Sequence, residues 1–350
     1  MGRQRLLTHL PKGRLSMNVL ITGGTGFIGR RLVAAALRRG WTVSVLARRP
    51  ESPQARGLAN QGASLVMGDL TDRESLVRGL DITRPSLVFH NAGWYELGIP
   101  RRARRGMWAV NVEATDAVLS LAIQAGVPRV VYTSSTLAFG DTRDEIADEH
   151  WVRSAGEASY YEATKAEAQR IAVRHQQAGE PILIAAPAQV MGPGDHSPFG
   201  HLARWYVRGR LPRVGWAPDS AFTFGHVEDV AEGLARVGEA GRLGETYFLG
   251  GHIMTVRQMM QIWADVAGRR PPGMWLPRPL AVAQASLAAP LLRLAGQPTF
   301  LSAESVRSSF ISLRCSSEKA RRELGVNFRP ADQAWRETLE EELGALSTPR

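Results

Sequence analysis

Short apolar runs alternate along most of the chain with longer segments of helical periodicity. The runs near 18–22, 42–47, 64–67, 86–91, 129–134, 181–186 and 246–249 have the length and the Val/Ile/Leu/Phe/Tyr content of buried strands. Between them lie stretches such as 30–37, whose apolar positions return every three or four residues. This alternation predicts an α/β fold, a doubly wound parallel sheet with helices on both faces. After Pro187 glycine and proline become denser and a second, smaller region begins. That region is not a simple C-terminal unit, because 224–250 reads as a return to the first layer. The expected division is a basic tail over 1–16, a first unit over 17–186 with a returning segment at about 224–250, and a region mainly over 187–350.

Composition narrows the class. With 350 residues, 44% of them apolar, the chain can bury a sizeable core, and no internal repeat is present. Its one cysteine, Cys315, excludes an internal disulfide and fits a reducing, cytoplasmic setting. The first 16 residues are basic and hold only Leu6-Leu7 as an apolar cluster, far short of a secretory segment. They read as a tail, or as an upstream start with Met17 the functional one. The apolar stretch 280–295 is shorter than the ~20 residues a membrane crossing needs, and it contains Gln284, Pro290 and Arg293. A buried or pocket-lining helix is expected there, with peripheral membrane contact left open. The chain is expected to be a monomer or homodimer, without a metal.

A net charge of +10 invites a nucleic-acid reading, but the arginines are scattered, with no interleaved aromatic platform and no binding motif. One cluster stands apart: Arg101, Arg102, Arg104 and Arg105. Between the strand ending near Gly93 and a helix expected to begin near Trp108, it reads as a loop at the carboxyl ends of the strands. Either it steers an anionic substrate or it is a solvated surface run.

The chemistry begins at Thr22-Gly23-Gly24-Thr25-Gly26-Phe27-Ile28-Gly29, which follows a strand and opens a helix. Strand, glycine turn and helix N-terminus bring backbone N–H groups and the positive end of a helix dipole against a pyrophosphate, the Rossmann arrangement. Gly23 permits the tight turn, Gly26 lets phosphates approach and Gly29 lets the helix pack closely. About 20 residues after the loop, an NAD site normally offers a carboxylate to the adenosine ribose. Here the second strand ends in Ala47-Arg48-Arg49 instead. Guanidinium groups suit a ribose 2′-phosphate, so NADP(H) is favoured over NAD(H), with Glu51 nearby as the counter-indication.

Tyr161 and Lys165 then stand four residues apart in a helical segment, on one face. Such an ammonium is expected to lower the tyrosine pKa from its usual ~10 towards that of a working acid or base. The lysine is selective: of the 43 basic residues only Lys12, Lys165 and Lys319 are lysine.

Taken in order, these motifs resemble the extended short-chain dehydrogenase/reductases. The nearest branches are the dihydroflavonol-4-reductase-like, hopanoid-associated epimerase-like and nucleotide-sugar epimerase/dehydratase ones. The resemblance runs from about Met17 to the C-terminus. Gly68-Asp69-Leu70 resembles the family's adenine contact, and Val88-Phe89-His90-Asn91-Ala92-Gly93 the strand beneath the cofactor. Asn111 matches a helix asparagine of the family. Val130 to Gly140 is similar to the strand that delivers the catalytic serine, which aligns with Ser135, Ser134 being its structural neighbour. Pro187-Ala188-Gln189 resembles the segment lining the nicotinamide, with Gln189 where asparagine is commoner. Phe224 to Ala231 and Ser317 to Gly325 recur in the branch. The resemblance thus implies Ser135, Tyr161 and Lys165 as catalytic residues. It also implies cofactor contacts from Gly23, Gly26, Phe27, Ile28, Gly29, Asp69, Leu70, Asn91, Ala92, Lys165 and Pro187, with Arg48 added from the reading above.

Three activities compete. A ketone or aldehyde reductase fits best, its substrate fairly apolar. Trp94, Tyr95, Trp205, Trp216, Phe222, Trp263 and Trp275 fall in or near pocket-forming segments, although most such aromatics are core. An NAD-dependent nucleotide-sugar epimerase shares the Ser-Tyr-Lys set but would prefer the missing carboxylate. A 4,6-dehydratase would carry carboxylates where this chain has Thr136-Leu137. A non-catalytic nucleotide-binding sensor usually lacks the tyrosine or the lysine, and both are present.

Overall fold

The computed structural model describes residues 17–153, 156–294 and 301–347; the basic tail over 1–16 lies outside them. The first half alternates strand and helix: β1 (Asn18–Thr22), α1 (Phe27–Arg38), β2 (Thr42–Ala47), α2 (Pro53–Asn60), β3 (Ser64–Met67), α3 (Arg73–Thr83) and β4 (Leu87–His90). It continues through α4 (Arg101–Trp108), a π-helical turn (Ala109–Glu113), α5 (Ala114–Gln124), β5 (Val130–Thr133), α6 (Tyr160–Gln177) and β6 (Ile182–Pro187). The chain then passes through β7 (Gln189–Met191), α7 (Pro198–Val207), β8 (Val214–Trp216), β9 (Ala221–His226) and α8 (Val227–Ala240) before β10 (Thr246–Leu249).

The main sheet has the order β3-β2-β1-β4-β5-β6-β10, and every pairing in it is parallel. Burial on both sides accounts for the near-continuous apolar strands. Along β1, Val19 and Ile21 join the cluster containing Leu32 and Val33 of α1 and Leu234 of α8. Leu20 joins the opposite cluster with Leu119 of α5 and Ile171 of α6. The strand order reverses between β1 and β4, so the crevice at their carboxyl ends is the topological switch point where ligands bind in open α/β sheets. All seven strands expected from the sequence are present, the last joining the edge of the sheet from far along the chain.

A smaller layer is built from β7, β9 and β11 (His252–Thr255), with β11 antiparallel to β9. It packs with α9 (Val256–Ala267) around Phe224, Trp263 and Trp335, the two indoles 5.0 Å apart. Beyond α9, β12 (Met274–Leu276) pairs with β8, and α10 (Arg278–Leu294), α11 (Ala303–Ser308), α12 (Glu318–Leu324) and α13 (Ala331–Ser347) complete the chain. No helix among the described residues is long and apolar enough to cross a membrane.

One element departs from the sequence reading. Arg101–Arg105 is not a loop but the first turns of α4. Pro100 at its N-cap presets the backbone angle, and Met107 is fully buried beneath the turn. An arginine-rich run with one apolar anchor looks like a polar loop in sequence, yet arginine is a good helix former.

Candidate active site

The glycine loop is shaped by steric need. Gly23 has φ +68°, and a Cβ there would lie 2.6 Å from Ala92 Cα. A Cβ on Gly29 would lie 2.0 Å from the Gly23 carbonyl oxygen, so α1 can start this close to β1 only with glycine at that position. Gly26, the N-cap of α1, offers no side-chain cap, and no carboxylate stands in the first turn. The N–H groups and positive dipole end of α1 are thus left to the cleft of about 670 Å³ that it borders.

Further along the cleft, Asp69 Oδ1 accepts from Thr71 N (2.9 Å) and Thr71 Oγ1 (2.8 Å). These bonds, with the Arg48 charge adding to them, hold its carboxyl below the ordinary range. Arg48 is exposed and borders both this cleft and an adjoining recess of about 330 Å³ lined by Thr25, Arg49 and Ser52. The donor set suits a dinucleotide. A Cβ on Gly26 would meet only the Gly23 carbonyl, at 3.2 Å, and otherwise stand in the cleft, and Asn91 Oδ1 and Thr133 Oγ1 are buried beside the cleft with no partner among the described residues.

Tyr161 and Lys165 lie in the first turns of α6, whose N-cap, Ser159 Oγ, accepts from Glu162 N. Lys165 Nζ donates to Tyr132 Oη (3.0 Å) and to the Thr133 carbonyl (3.1 Å) at the end of β5. Tyr161 packs against Tyr95, the ring centroids 4.7 Å apart. The lysine was expected to lower the tyrosine pKa. It does act that way, but burial outweighs it and holds the Tyr161 phenol above its ordinary value. Burial likewise lowers Lys165, with Tyr161 opposing.

A second cavity of about 240 Å³ opens on the other side of Tyr161. It is mostly apolar, lined by Tyr95, Leu97, Leu137, Phe199, Trp216 and Phe222, with Ser135, Pro187 and Gln189 at its polar edge. Tyr161, Tyr95, Phe27, Ile28 and Ser134 border both cavities. Gly23, Gly26, Gly29, Arg48, Asp69, Leu70, Asn91, Ala92 and Lys165 therefore border the first cleft, while Ser135 and Pro187 border only the second. Ser135 Oγ accepts from Leu137 N (3.2 Å). Ser134, read from sequence as a structural neighbour, is buried in the wall that both cavities share.

Asp195 is a further lining residue, its carboxylate accepting from Ser197 N and Ser197 Oγ at 2.7 Å each; burial pushes it up to about 6. Of the aromatics named above, Tyr95, Trp216 and Phe222 line the second cavity and Trp94 the first, whereas Trp263 is core.

None of the four arginines of α4 lines either cavity. Arg104 stacks on the Tyr160 ring, and Arg105 pairs with Glu113 at 3.2 Å.

Two residues gained a place that sequence reasoning did not assign. Tyr132 holds the lysine; its one local signal is a polar-tipped ring in an otherwise apolar strand. Asn111, noted only as a motif match, joins three segments. Its Oδ1 accepts from Trp94 N (2.7 Å), and its Nδ2 donates to Trp94 O (3.0 Å) and Thr164 Oγ1 (2.9 Å). It thereby ties the loop after β4 to the helix carrying Tyr161.

Known proteins resemble this chain in sequence and in fold. The chain is 32% identical over 321 residues to sterol demethylase protein B of Methylococcus capsulatus, covering 89% of this chain and 93% of that protein. It is 28% identical over 325 residues to the 4-hydroxy-2-methyl-3-oxo-4-farnesyl-3,4-dihydroquinoline-1-oxide ketoreductase of Stigmatella aurantiaca, covering 91% and 94%. The UDP-glucose 4-epimerase of Thermus thermophilus, solved with NAD, has the same fold at a TM-score of 0.72 and 24% identity, covering 94% of this chain and all of that one. Residues 19–250 match the NAD dependent epimerase/dehydratase family, and the chain belongs to it.

Proposed function

We propose that the protein is an NADP(H)-dependent reductase of an apolar ketone or aldehyde. The observation that carries this reading is the lining of the second cavity: among the described residues no arginine or lysine stands in it, and the one charged group there is the buried Asp195. A nucleotide-sugar epimerase must hold a diphosphate, for which arginine or lysine is the strongest donor. A carbonyl carried on a hydrocarbon frame needs no such cation, and a relative named as a ketoreductase supports the same direction.

In this reading residues 17–186, with the return at about 224–250, hold the nucleotide, and the remainder shapes the substrate cavity. Glycine-loop N–H groups take the pyrophosphate, and Arg48 with the adjoining recess takes a ribose 2′-phosphate. The bound reduced cofactor supplies the hydride. Ser135 donates a hydrogen bond to the substrate oxygen and fixes its place. Tyr161, kept protonated by burial, donates its proton to that oxygen as charge develops there, the direction a reductase needs at neutral pH. Lys165, anchored by Tyr132 and Thr133, holds its ammonium in the cleft, where it stabilises the tyrosinate left behind. The single buried thiol fits a cytoplasmic setting.

Two measurements test this. Nucleotide extracted from the purified protein is expected to be absent or exchangeable NADP; tightly retained NAD would move the reading to an epimerase. Tyr161→Phe is expected to abolish NADPH-dependent carbonyl reduction while NADPH affinity changes little, and turnover by that variant would end the mechanism.

A further inference from the structure

Helix α10 exposes an apolar face that no described residue covers. Leu280, Leu287, Leu291 and Leu294 are 57–85% exposed. At 3.6 residues per turn they fall within about 60° of one another around the helix. Ala281, Ala285 and Ala289, which are buried, fall on the opposite side, where the helix packs on Val306 of α11 and on Trp216, a wall of the second cavity. Met274 on neighbouring β12 is also more than half exposed. A row of four leucines turned to water is costly for a protein that stays in water, and the helix contains no carboxylate.

The surroundings are basic. Arg208, Arg210 and Arg213 lead into β8, Arg269 and Arg270 lead into β12, and Arg278 opens α10; all six are exposed. The pairing of β8 with β12 brings the first two groups together, and Arg213 lies against Gly273, just before Met274. Among the described residues none of the six is in an ion pair, while arginines elsewhere, such as Arg39, Arg153 and Arg329, are. Of the carboxylates nearby, Asp265 accepts from Gln261 and Asp219 pairs with Arg257.

We propose that this face is a peripheral docking surface for an anionic phospholipid bilayer, with α10 lying in the interface plane. The leucine row of α10 and the unpaired guanidinium groups of the β8–β12 strand pair packed beside it supply the two attractions such binding uses, burial of leucine in the acyl boundary and attraction to lipid phosphates. The charge complements any polyanion, and the exposed leucine row selects among these the bilayer, which alone offers an acyl layer to bury it. The proposal is independent of the reaction assigned to the site.

Flotation of the full chain with vesicles tests it. Vesicles of phosphatidylcholine with about 30 mol % phosphatidylglycerol are expected to carry at least tenfold more protein than phosphatidylcholine alone, the difference shrinking with salt. Leu287→Ser with Leu291→Ser, and separately Arg269→Glu with Arg270→Glu, should each reduce binding at least tenfold while circular dichroism is unchanged. Arg56→Glu with Arg73→Glu, an equal charge change on α2 and α3, should leave it intact. No preference of the parent for anionic vesicles, or undiminished binding by the leucine variant, overturns the proposal. So does a parent dimer that the leucine variant converts to monomer without vesicle binding, which would make the face a contact between two copies.

Discussion

Tyr132 accepts a hydrogen bond from Lys165 Nζ at 3.0 Å, so the ammonium of the Tyr-Lys pair is held by a residue of β5 rather than by its helical neighbour. The same strand leads directly into Ser134 and Ser135, and one short segment therefore sets the lysine and both serines against Tyr161. Tyr132→Phe removes that acceptor and leaves Nζ with the Thr133 carbonyl alone. The expected cost is about 1.4 kcal/mol, a tenfold loss in kcat/KM with little change in thermal stability. Steady-state kinetics beside a melting curve decide it; unchanged kcat/KM would make Tyr132 packing only.

The proposed preference for NADP(H) rests on Arg48. With Arg48 and Arg49 rather than a carboxylate directly at the end of β2, Arg48→Ala is expected to weaken NADPH binding by about 1.5–3 kcal/mol, the range of a charge-assisted hydrogen bond, and to leave NADH nearly unaffected. Calorimetric titration with both nucleotides gives the answer. Equal losses would mean that the side chain is structural.

Asp195 predicts a pH dependence. Its folded pKa of about 6 lies above the ordinary carboxylate value, so the fold prefers the neutral form. The stability this contributes is complete below the unfolded value near ~3.9 and is lost as pH rises through the folded one. Asp195→Asn is permanently neutral and can keep both contacts with Ser197. It should be more stable than the parent above about pH 7, by on the order of 1–3 kcal/mol, with the gap narrowing as pH falls below about 6 and closing near about pH 4. Denaturant curves across that window test this, and a gap independent of pH would refute it.

Two glycine substitutions should move in opposite directions. In Gly29→Ala the new methyl meets the Gly23 carbonyl at 2.0 Å, so the loop must shift; nucleotide affinity should fall at least tenfold and stability by about 1–3 kcal/mol. Gly57→Ala in α2 meets nothing within 4 Å, and helix propensity alone should add roughly 0.5–1 kcal/mol. Loss of stability in the second variant would show that the helix depends on more than backbone entropy.

For the arginines of α4, their absence from both cavity walls favours the solvated-surface reading. Neutralising Arg101, Arg102 and Arg105 should change KM by less than about twofold and leave its dependence on ionic strength as in the parent. A raised KM with a flattened salt response would restore a steering role.

Much of this protein is legible in its sequence because the signals are local. Strand and helix differ in apolar period within a few residues, and the glycines of the loop and the Tyr161–Lys165 spacing each sit inside a single element. Sequence alone thus determined the α/β class, the seven strands and the family. What only the tertiary structure decided depends on residues far apart in the chain. Tyr132 meets Lys165 across 33 positions, and Asn111 meets Thr164 across 53. The sign of the Tyr161 shift depends on burial by Tyr95 and the cavity walls, which no i, i+4 spacing encodes. The helical state of Arg101–Arg105 depends on Pro100 and on the burial of Met107. The largely apolar second cavity is assembled from the segment after β5 and from β7, α7, β8, β9 and α11, so its character became visible only once folding had brought those walls together.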